Sequence, residues 1–192
     1  MPVARSLFRR REVGDRVSAE RYLGLDLSLS GTGIVILDAA GAIRNQSLVG
    51  HKLTRKATVR EKLERMIGIA SFILDKIRAE DRDSESDHPL EWVAGVEHYA
   101  FSAHGAFADL GEVNGVVKTQ LWLAFGLEPQ QVIASSARKL VLGKGNTKKA
   151  DVMPALAKRG VKFDDHNVAD AYVIAEALRL TTRSEKNGTD KD

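Results

Sequence analysis

The chain has 192 residues, of which 43% are hydrophobic and 29% are charged, so it is long enough to bury one core of ordinary size. It contains no cysteine, which excludes disulfides and thiolate zinc sites and leaves oxygen and imidazole as the available metal ligands. No apolar run approaches the roughly 20 residues that a membrane-spanning helix needs, so we expect no integral membrane segment.

The first segment is basic, because residues 1–21 hold six arginines and three acids and so carry the whole net charge of +3. We expect residues 1–20 to form a flexible arm that is either inert or contacts phosphates non-specifically. Residues 181–192 offer few apolar side chains to bury and are expected to be a disordered tail. One domain is therefore predicted over residues 21–180.

The predicted domain begins with three strands joined by short turns. They are "RYLGLDLS", "GIVILDA" and "AIRNQSLVG". A helix is predicted from Thr58 to about Ala79, since apolar side chains recur there at spacings of three and four.

The second half of the chain alternates strands with helices. "EWVAGVEHY" predicts a fourth strand, and a helix is predicted from about Ala103 to Phe125. "QQVIAS", residues 130–135, predicts a fifth strand, "SARKLVLG" a helical turn, and "KADVMPALAKRG" and Asn167 to Leu180 two further helices. This order predicts an α/β domain in which helices pack on the faces of a mixed sheet.

Three carboxylates interrupt three of the most apolar segments. Asp26 ends the first strand, Glu97 lies in the fourth, and Asp170 lies in the last helix. Each has an ordinary structural interpretation: Asp26 could cap a turn, Glu97 could face solvent, and Asp170 could begin a helix. Together they favour a cation site, because clustered carboxylates need a cation to stay ionised, and Mg²⁺ and Mn²⁺ prefer carboxylate oxygen.

A basic run without acids lies around the turn that precedes the second-last helix. It comprises Arg138, Lys139, Lys144, Lys148 and Lys149. A solvated loop is the simplest interpretation. The run lies between elements whose ends face the side of the acids, however, and this favours contact with phosphates.

Four segments resemble, in order and spacing, the motifs of RuvC-type Holliday-junction resolvases. Their pattern is similar to that of phage-type members. They are "YLGLDLSLSGTGIVILD", "AGVEHYAFSAHGAFADLGEVNGVV", "IASSARKLVLGKGNTKKADV" and "DDHNVADAYVIAEAL". The resemblance implies an RNase H-like fold, a mixed five-stranded sheet with helices on both faces. It also implies a structure-selective endonuclease that cleaves four-way or other branched DNA with two Mg²⁺ ions per site, for which Mn²⁺ can substitute.

The resemblance assigns three metal-binding catalytic acids, which are Asp26, Glu97 and Asp170. The family usually has a fourth ligand three residues before the last of these, and this chain has Asn167 there. His166 lies four residues before Asp170 and could fill the catalytic role from the same helix face. Asp165 is a further candidate, and the "DDHN" cluster could instead only cap the helix.

The resemblance implies DNA contacts as well, with Arg138 and Lys149 as the best matches to the basic positions of the family. The aromatic residue that stacks on a base in the family would fall at Ala100. Its neighbours Tyr99 and Phe101 could each take that role or lie in the core.

Resolvases of this type are homodimers, so the resemblance also implies two chains. The candidate two-fold contact is the glycine-lined half of the helix that ends at Phe125, where Gly111 and Gly115 lie on one face. We expect a cytoplasmic, nucleoid-associated protein encoded by a bacterium or a phage, with no membrane partner.

Two other functions stay open. Sugar kinases and actin-like ATPases also begin with a strand, an aspartate and a small-residue turn, but they need two such domains and far more than 192 residues. A junction-binding protein with weak or no nuclease activity would fit the missing fourth acid. A cleavage assay on a four-way junction separates a nuclease from such a protein.

Overall fold

The structure is a computed structural model that describes residues 20–50, 57–84, 89–98 and 107–189. The predicted arm lies outside these ranges except for Glu20, and so do Tyr99 and Phe101. No helix in these ranges is long and apolar enough to cross a membrane.

The described residues form five strands of one mixed sheet, in the order β3-β2-β1-β4-β5. The strands are β1 (Glu20–Asp26), β2 (Thr32–Asp38), β3 (Ile43–Val49), β4 (Glu91–Glu97) and β5 (Gln130–Val132). β2 runs antiparallel to β1 and β3, whereas β4 runs parallel to β1 and β5. The parallel pairs bring the carboxyl ends of β1, β4 and β5 to the same edge of the sheet.

Helices cover both faces of this sheet. Those in the described ranges are α1 (Val59–Arg82), α2 (Phe107–Phe125), α3 (Ala134–Leu142), α4 (Lys149–Ala157) and α5 (His166–Thr189). One apolar core lies between the sheet and α1 and α2, and the other lies between the sheet and α3, α4 and α5. The predicted mixed five-stranded sheet with helices on both faces is confirmed.

The alternation of side chains along β1 divides this strand between the two cores. Leu23 and Leu25 are fully buried on the side of α1 and α2, and Tyr22 is fully buried on the side of α5. Successive side chains point to opposite faces, so Gly24 and Asp26 share the α5 face with Tyr22. Complete burial of a leucine contributes about 1.5–3 kcal/mol, and the two leucines therefore fix the face that Asp26 takes.

The predicted fifth strand is too long. β5 ends at Val132, and α3 begins two residues later, at Ala134. Ala137 and Val141 lie one turn apart in α3 and are both buried, so helical packing replaces the extended chain that was predicted for residues 130–135.

The last helix continues beyond its predicted end at Leu180. α5 reaches Thr189, so most of the tail predicted to be disordered is helical. The disordered tail is predicted because residues 181–192 have few apolar side chains. Arg, Glu and Lys are nevertheless good helix formers, so a helix can continue in solvent beyond the core.

α5 lies directly on the backbone of β1 and β2. A Cβ atom at Gly24 would lie 2.0 Å from the carbonyl oxygen of Ala171, and one at Gly33 would lie 2.0 Å from that of Asn167. Only glycine leaves room for this approach of helix and strands. Gly33 is the ladder partner of Asp26, so the contact brings the start of α5 to the end of β1.

Gly33→Ala should therefore lower the free energy of unfolding by about 3 kcal/mol, because the added methyl group must push α5 away from the sheet. Urea denaturation measures the change. Gly68→Ala in α1 is the matched control: nothing lies within 4 Å of a Cβ atom there. The control should stabilise the protein by about 0.5–1 kcal/mol. Wild-type stability in Gly33→Ala would contradict the close contact.

Candidate active site

Two of the predicted acids lie side by side at the carboxyl edge of the sheet. Asp26 is the last residue of β1, and Glu97 is the last residue of β4. The parallel register pairs Leu25 with Val96, so Asp26 and Glu97 are the next neighbours along the two strands. Both acids point to the α5 face, since Leu25 and Val96 are buried in the core on the other side.

The third acid approaches from the helix. Asp170 lies one turn into α5 and is only 5% exposed. The contact of α5 with Gly33 sets the height of this turn above the sheet. Asp170 interacts electrostatically with both Asp26 and Glu97, so the three predicted acids form one cluster.

The structural interpretations of these acids do not account for the positions observed. Ser28 and Thr32 close the turn after β1: the Thr32 hydroxyl donates to the Ser28 carbonyl at 2.8 Å and accepts from the Ser28 N–H at 3.1 Å. Glu97 is half-buried rather than fully in solvent. Asp170 lies inside α5 rather than at its first residue.

An arginine from α3 pairs with the acid on α5. The Arg138 guanidinium donates to Asp170 Oδ1 at 3.2 Å and to the Thr147 carbonyl at 3.3 Å. Its side chain is 17% exposed. Arg138 therefore joins the acid cluster to the loop between α3 and α4.

A lysine at the start of α4 contacts three oxygens of the cluster. The Lys149 ammonium lies 3.2 Å from Asp170 Oδ2 and 3.6 Å from Asp26 Oδ2. It also donates to Asn167 Oδ1 at 3.1 Å. Lys149 is thus a cation among the predicted metal ligands.

Burial and mutual repulsion change the proton affinity of the cluster. Burial is the largest cause that raises the pKa of Asp26 to about 7, and Glu97 and Asp170 add to the rise, whereas Lys149 opposes it. Burial and then Asp170 raise the pKa of Glu97, against the effects of Arg138 and Lys149. Partial burial alone would lower the pKa of Lys149, but Asp26 and Asp170 raise it. The acids carry more negative charge than the two cations balance.

The chemistry of these residues fits a hard divalent cation. Every predicted ligand offers oxygen, and Asp170 Oδ2 is buried without a hydrogen bond, with Lys149 beside it as an ion-pair partner. In the positions that the described side chains take, no three acids or imidazoles are arranged to hold an ion. The ammonium of Lys149 lies between the oxygens of Asp26 and Asp170 that would have to bind such an ion.

The start of α5 distinguishes the candidates for the fourth position. Asp165 caps the helix, since its Oδ1 accepts from the backbone N–H groups of Asn167 and the next residue. His166 is the first helical residue and is exposed. Asn167 lies one turn before Asp170 and contacts Lys149, so the structure brings Asn167 to the acids.

The other basic residues of the run lie on the surface beside the cluster. Lys139, Lys144 and Lys148 are exposed. Lys139 belongs to α3, and the loop that carries Lys144 and Lys148 packs against this helix, because a Cβ atom at Gly145 would lie 2.8 Å from the Ser135 carbonyl oxygen. These lysines are therefore presented on a fixed surface rather than on a detached loop.

The cluster adjoins a small cleft rather than a large cavity. The cleft between Glu97, Arg138 and Asp170 has a volume of about 10 Å³, which is room for about one water. A larger cavity of about 480 Å³ lies at the β3 edge, lined by Arg44, Lys162 and uncharged side chains in the described part of the chain. The larger cavity has no acid, so the carboxylate edge is the candidate site.

The solved structures that are similar to this chain include two of Thermus thermophilus RuvC. The Thermus thermophilus RuvC structure has a TM-score of 0.63 and 17% identity, and the match covers 86% of this chain and 96% of that one. T. thermophilus RuvC in complex with Holliday junction substrate has a TM-score of 0.62 and 16% identity over 87% and 96% of the two chains. This chain has a RuvC-like fold. No family model and no curated protein matches its sequence.

The RuvC-like fold confirms the predicted fold over most of the chain. The ion pairs within the site, in contrast, were not predicted from the sequence. Arg138 and Lys149 are predicted as contacts for DNA, whereas in the structure both pair with Asp170. Three clustered acids require a cation nearby. Which basic residue supplies it depends on how α3 and α4 dock, and no local pattern encodes that docking.

In EDTA, Asp26→Asn should raise the free energy of unfolding at pH 8 by an amount on the order of 2 kcal/mol and by a clearly smaller amount at pH 4.5. The fold raises the pKa of this carboxyl from 3.8 to about 7. The folded protein therefore binds the proton more tightly than the unfolded chain, and the stability cost of Asp26 grows between pH 3.8 and about 7 and stays constant above that.

Chemical denaturation at the two pH values measures this effect. Asp75→Asn, at a 72% exposed side chain on α1, is the control and should change little at either pH. A loss of stability in Asp26→Asn at pH 8 would contradict the electrostatic account.

Proposed function

We propose that this chain is a metal-dependent endonuclease that cleaves four-way or other branched DNA by phosphodiester hydrolysis. The observation that carries the proposal is the convergence of Asp26, Glu97 and Asp170 at one edge of a RuvC-like fold. T. thermophilus RuvC has been solved in complex with Holliday junction substrate, which supports a branched DNA substrate for this chain.

The three acids and Asn167 would hold the metal, which we propose to be two Mg²⁺ ions, with Mn²⁺ as substitute. When bound, such ions activate water and stabilise the leaving oxygen of a phosphodiester. Asp26 supplies the central carboxylate, since it lies next to Glu97 on the sheet and faces Asp170. Arg138 holds Asp170 Oδ1, so Oδ2, whose neighbouring charge is the Lys149 ammonium at 3.2 Å, is the oxygen of Asp170 that would bind a metal.

The exposed lysines provide the DNA surface. Lys139, Lys144 and Lys148 are exposed on the surface beside the acids, where an extended polyanion can bind. We therefore place the phosphate backbone of one DNA arm across the segment between α3 and α4. Such a substrate implies a role in DNA recombination and repair, in the cytoplasm at the nucleoid.

A junction-binding protein without nuclease activity is the second candidate. It is favoured by Asn167, which brings no charge to the fourth position, and by Lys149, which pairs with two of the three acids. Both candidates would bind branched DNA. Only the nuclease would cut it, and it would need a divalent ion to do so.

We also propose a homodimer through α2. A Cβ atom added at Gly111 or Gly115 would have nothing within 4 Å of it in the described part of the chain, so this side of the helix is open to a second helix. Trp122 and Leu123 are 42% and 61% exposed near its other end. A second copy would cover these side chains and give the two related active sites that symmetric cutting of a junction needs.

Asp26→Asn, Glu97→Gln and Asp170→Asn should each lower cleavage of a synthetic four-way junction in Mg²⁺ by about 100-fold or more. Junction binding, measured by gel shift in Ca²⁺, should persist or strengthen because negative charge is removed. Asp164→Asn, at an exposed acid just before α5, is the control and should keep wild-type activity. Full cleavage by any of the three variants would remove that residue from the proposed site. Absence of cleavage by the wild type, with binding intact, would favour the second candidate.

Replacement of both Lys144 and Lys148 by alanine should weaken binding of all DNA sequences alike, with a slope of log K against log salt that is shallower by about 2. Fluorescence anisotropy at several salt concentrations measures this slope. The double variant Arg60→Ala, Lys76→Ala removes two charges from α1, on the other face of the sheet, and should leave the slope unchanged. An unchanged slope in the Lys144 and Lys148 variant would show a merely solvated surface.

Light scattering at micromolar concentration should give twice the 21.0 kDa mass of one chain. Gly115→Arg should reduce the mass to that of one chain without loss of the fold, because the position has room for a side chain. Asp75→Arg, far along α1, is the control for the added charge and should remain dimeric. A monomeric wild type would rule out this assembly.

A further inference from the structure

The two cations of the site differ in how firmly they are held. Arg138 is 17% exposed and donates both to Asp170 and to the Thr147 carbonyl, which fixes it to the protein itself. The side chain of Lys149 is 54% exposed, and the oxygens within reach of its ammonium belong to the proposed metal ligands. Lys149 is therefore the cation that can leave.

The position of Lys149 in α4 favours this departure. Lys149 is the first residue of α4, where the helix macrodipole presents positive charge and disfavours a cation. The attraction of Asp26 and Asp170 holds the ammonium against this field. A cation that neutralises these acids would remove the attraction, and the long side chain could then turn into solvent.

We propose that Lys149 is the built-in counter-ion of the metal site and that a divalent ion must displace it to bind. This inference rests on the proposed function, since it concerns the same acids, and adds a competition that sets the metal affinity. The ammonium lies within 3.6 Å of Asp26 Oδ2 and 3.2 Å of Asp170 Oδ2, and in this arrangement no three of the described acids or imidazoles are placed to hold an ion. Occupation by the metal and occupation by Lys149 exclude each other.

Charge balance accounts for the asparagine at the fourth position. With Lys149 withdrawn, three ionised acids and Arg138 leave a net charge of −2, which one divalent ion neutralises. An aspartate in place of Asn167 would leave −3 and would also bind the ammonium more strongly in the resting site. In the absence of DNA we therefore expect one tight ion per chain.

Isothermal titration with Mn²⁺ tests the competition. Lys149→Met keeps the apolar stem and removes the charge, and it should bind Mn²⁺ at least about tenfold more tightly than the wild type. Lys148→Met is the matched control, since Lys148 is exposed and precedes the helix, and it should bind Mn²⁺ like the wild type. Equal or weaker binding by Lys149→Met would overturn the proposal.

Lysine labelling tests the displacement in the wild-type chain, and it decides the matter if Lys149→Met does not fold. An amine-reactive reagent, read by mass spectrometry, should modify Lys149 several-fold more slowly than Lys148 in EDTA. Addition of Mg²⁺ should bring the two rates together. If the protein binds Mg²⁺ but the ion leaves the modification rate of Lys149 unchanged, the displacement proposal is overturned and the proposed function is not. Absence of Mg²⁺ and Mn²⁺ binding to wild type and Lys149→Met would overturn the proposed metal-dependent function with it.

Discussion

The contact between the backbone of α5 and the backbones of β1 and β2 is the constraint on which the site depends. At Gly24 and Gly33 the helix approaches so closely that a single methyl group would overlap a carbonyl oxygen. Because Gly33 is the ladder partner of Asp26, the same contact determines how far Asp170 and Asn167 lie from the strand acids. Two glycines in the sheet thus position the two oxygen-bearing side chains that α5 brings to the site.

This closeness has an electrostatic consequence. Burial raises the pKa of Asp26 to about 7, and repulsion by Glu97 and Asp170 adds to the rise. Arg138 and Lys149 relieve part of the repulsion, one as a fixed partner and the other as a half-exposed one. This incomplete balance is the basis of the proposed metal binding, and carboxylates with perturbed pKa values are typical of functional sites.

Much of the fold followed from local patterns, because apolar alternation and helical spacing are written directly in the chain. Asp26 and Glu97 were predictable as site candidates, since each breaks an apolar strand. The pairing of Lys149 with the acids was not predictable, because it depends on the docking of α4. The length of α5 was also missed, because a polar sequence after Leu180 is compatible both with a helix and with a disordered tail.

Diffraction from a crystal soaked in Mn²⁺, with anomalous data, tests the central claim most directly, namely that the acids of β1, β4 and α5 form one cation site. The account predicts an anomalous peak in contact with Asp26 and Asp170, with the Lys149 ammonium withdrawn from between them. An anomalous peak elsewhere, or none while Lys149 still bridges the two carboxylates, would contradict it.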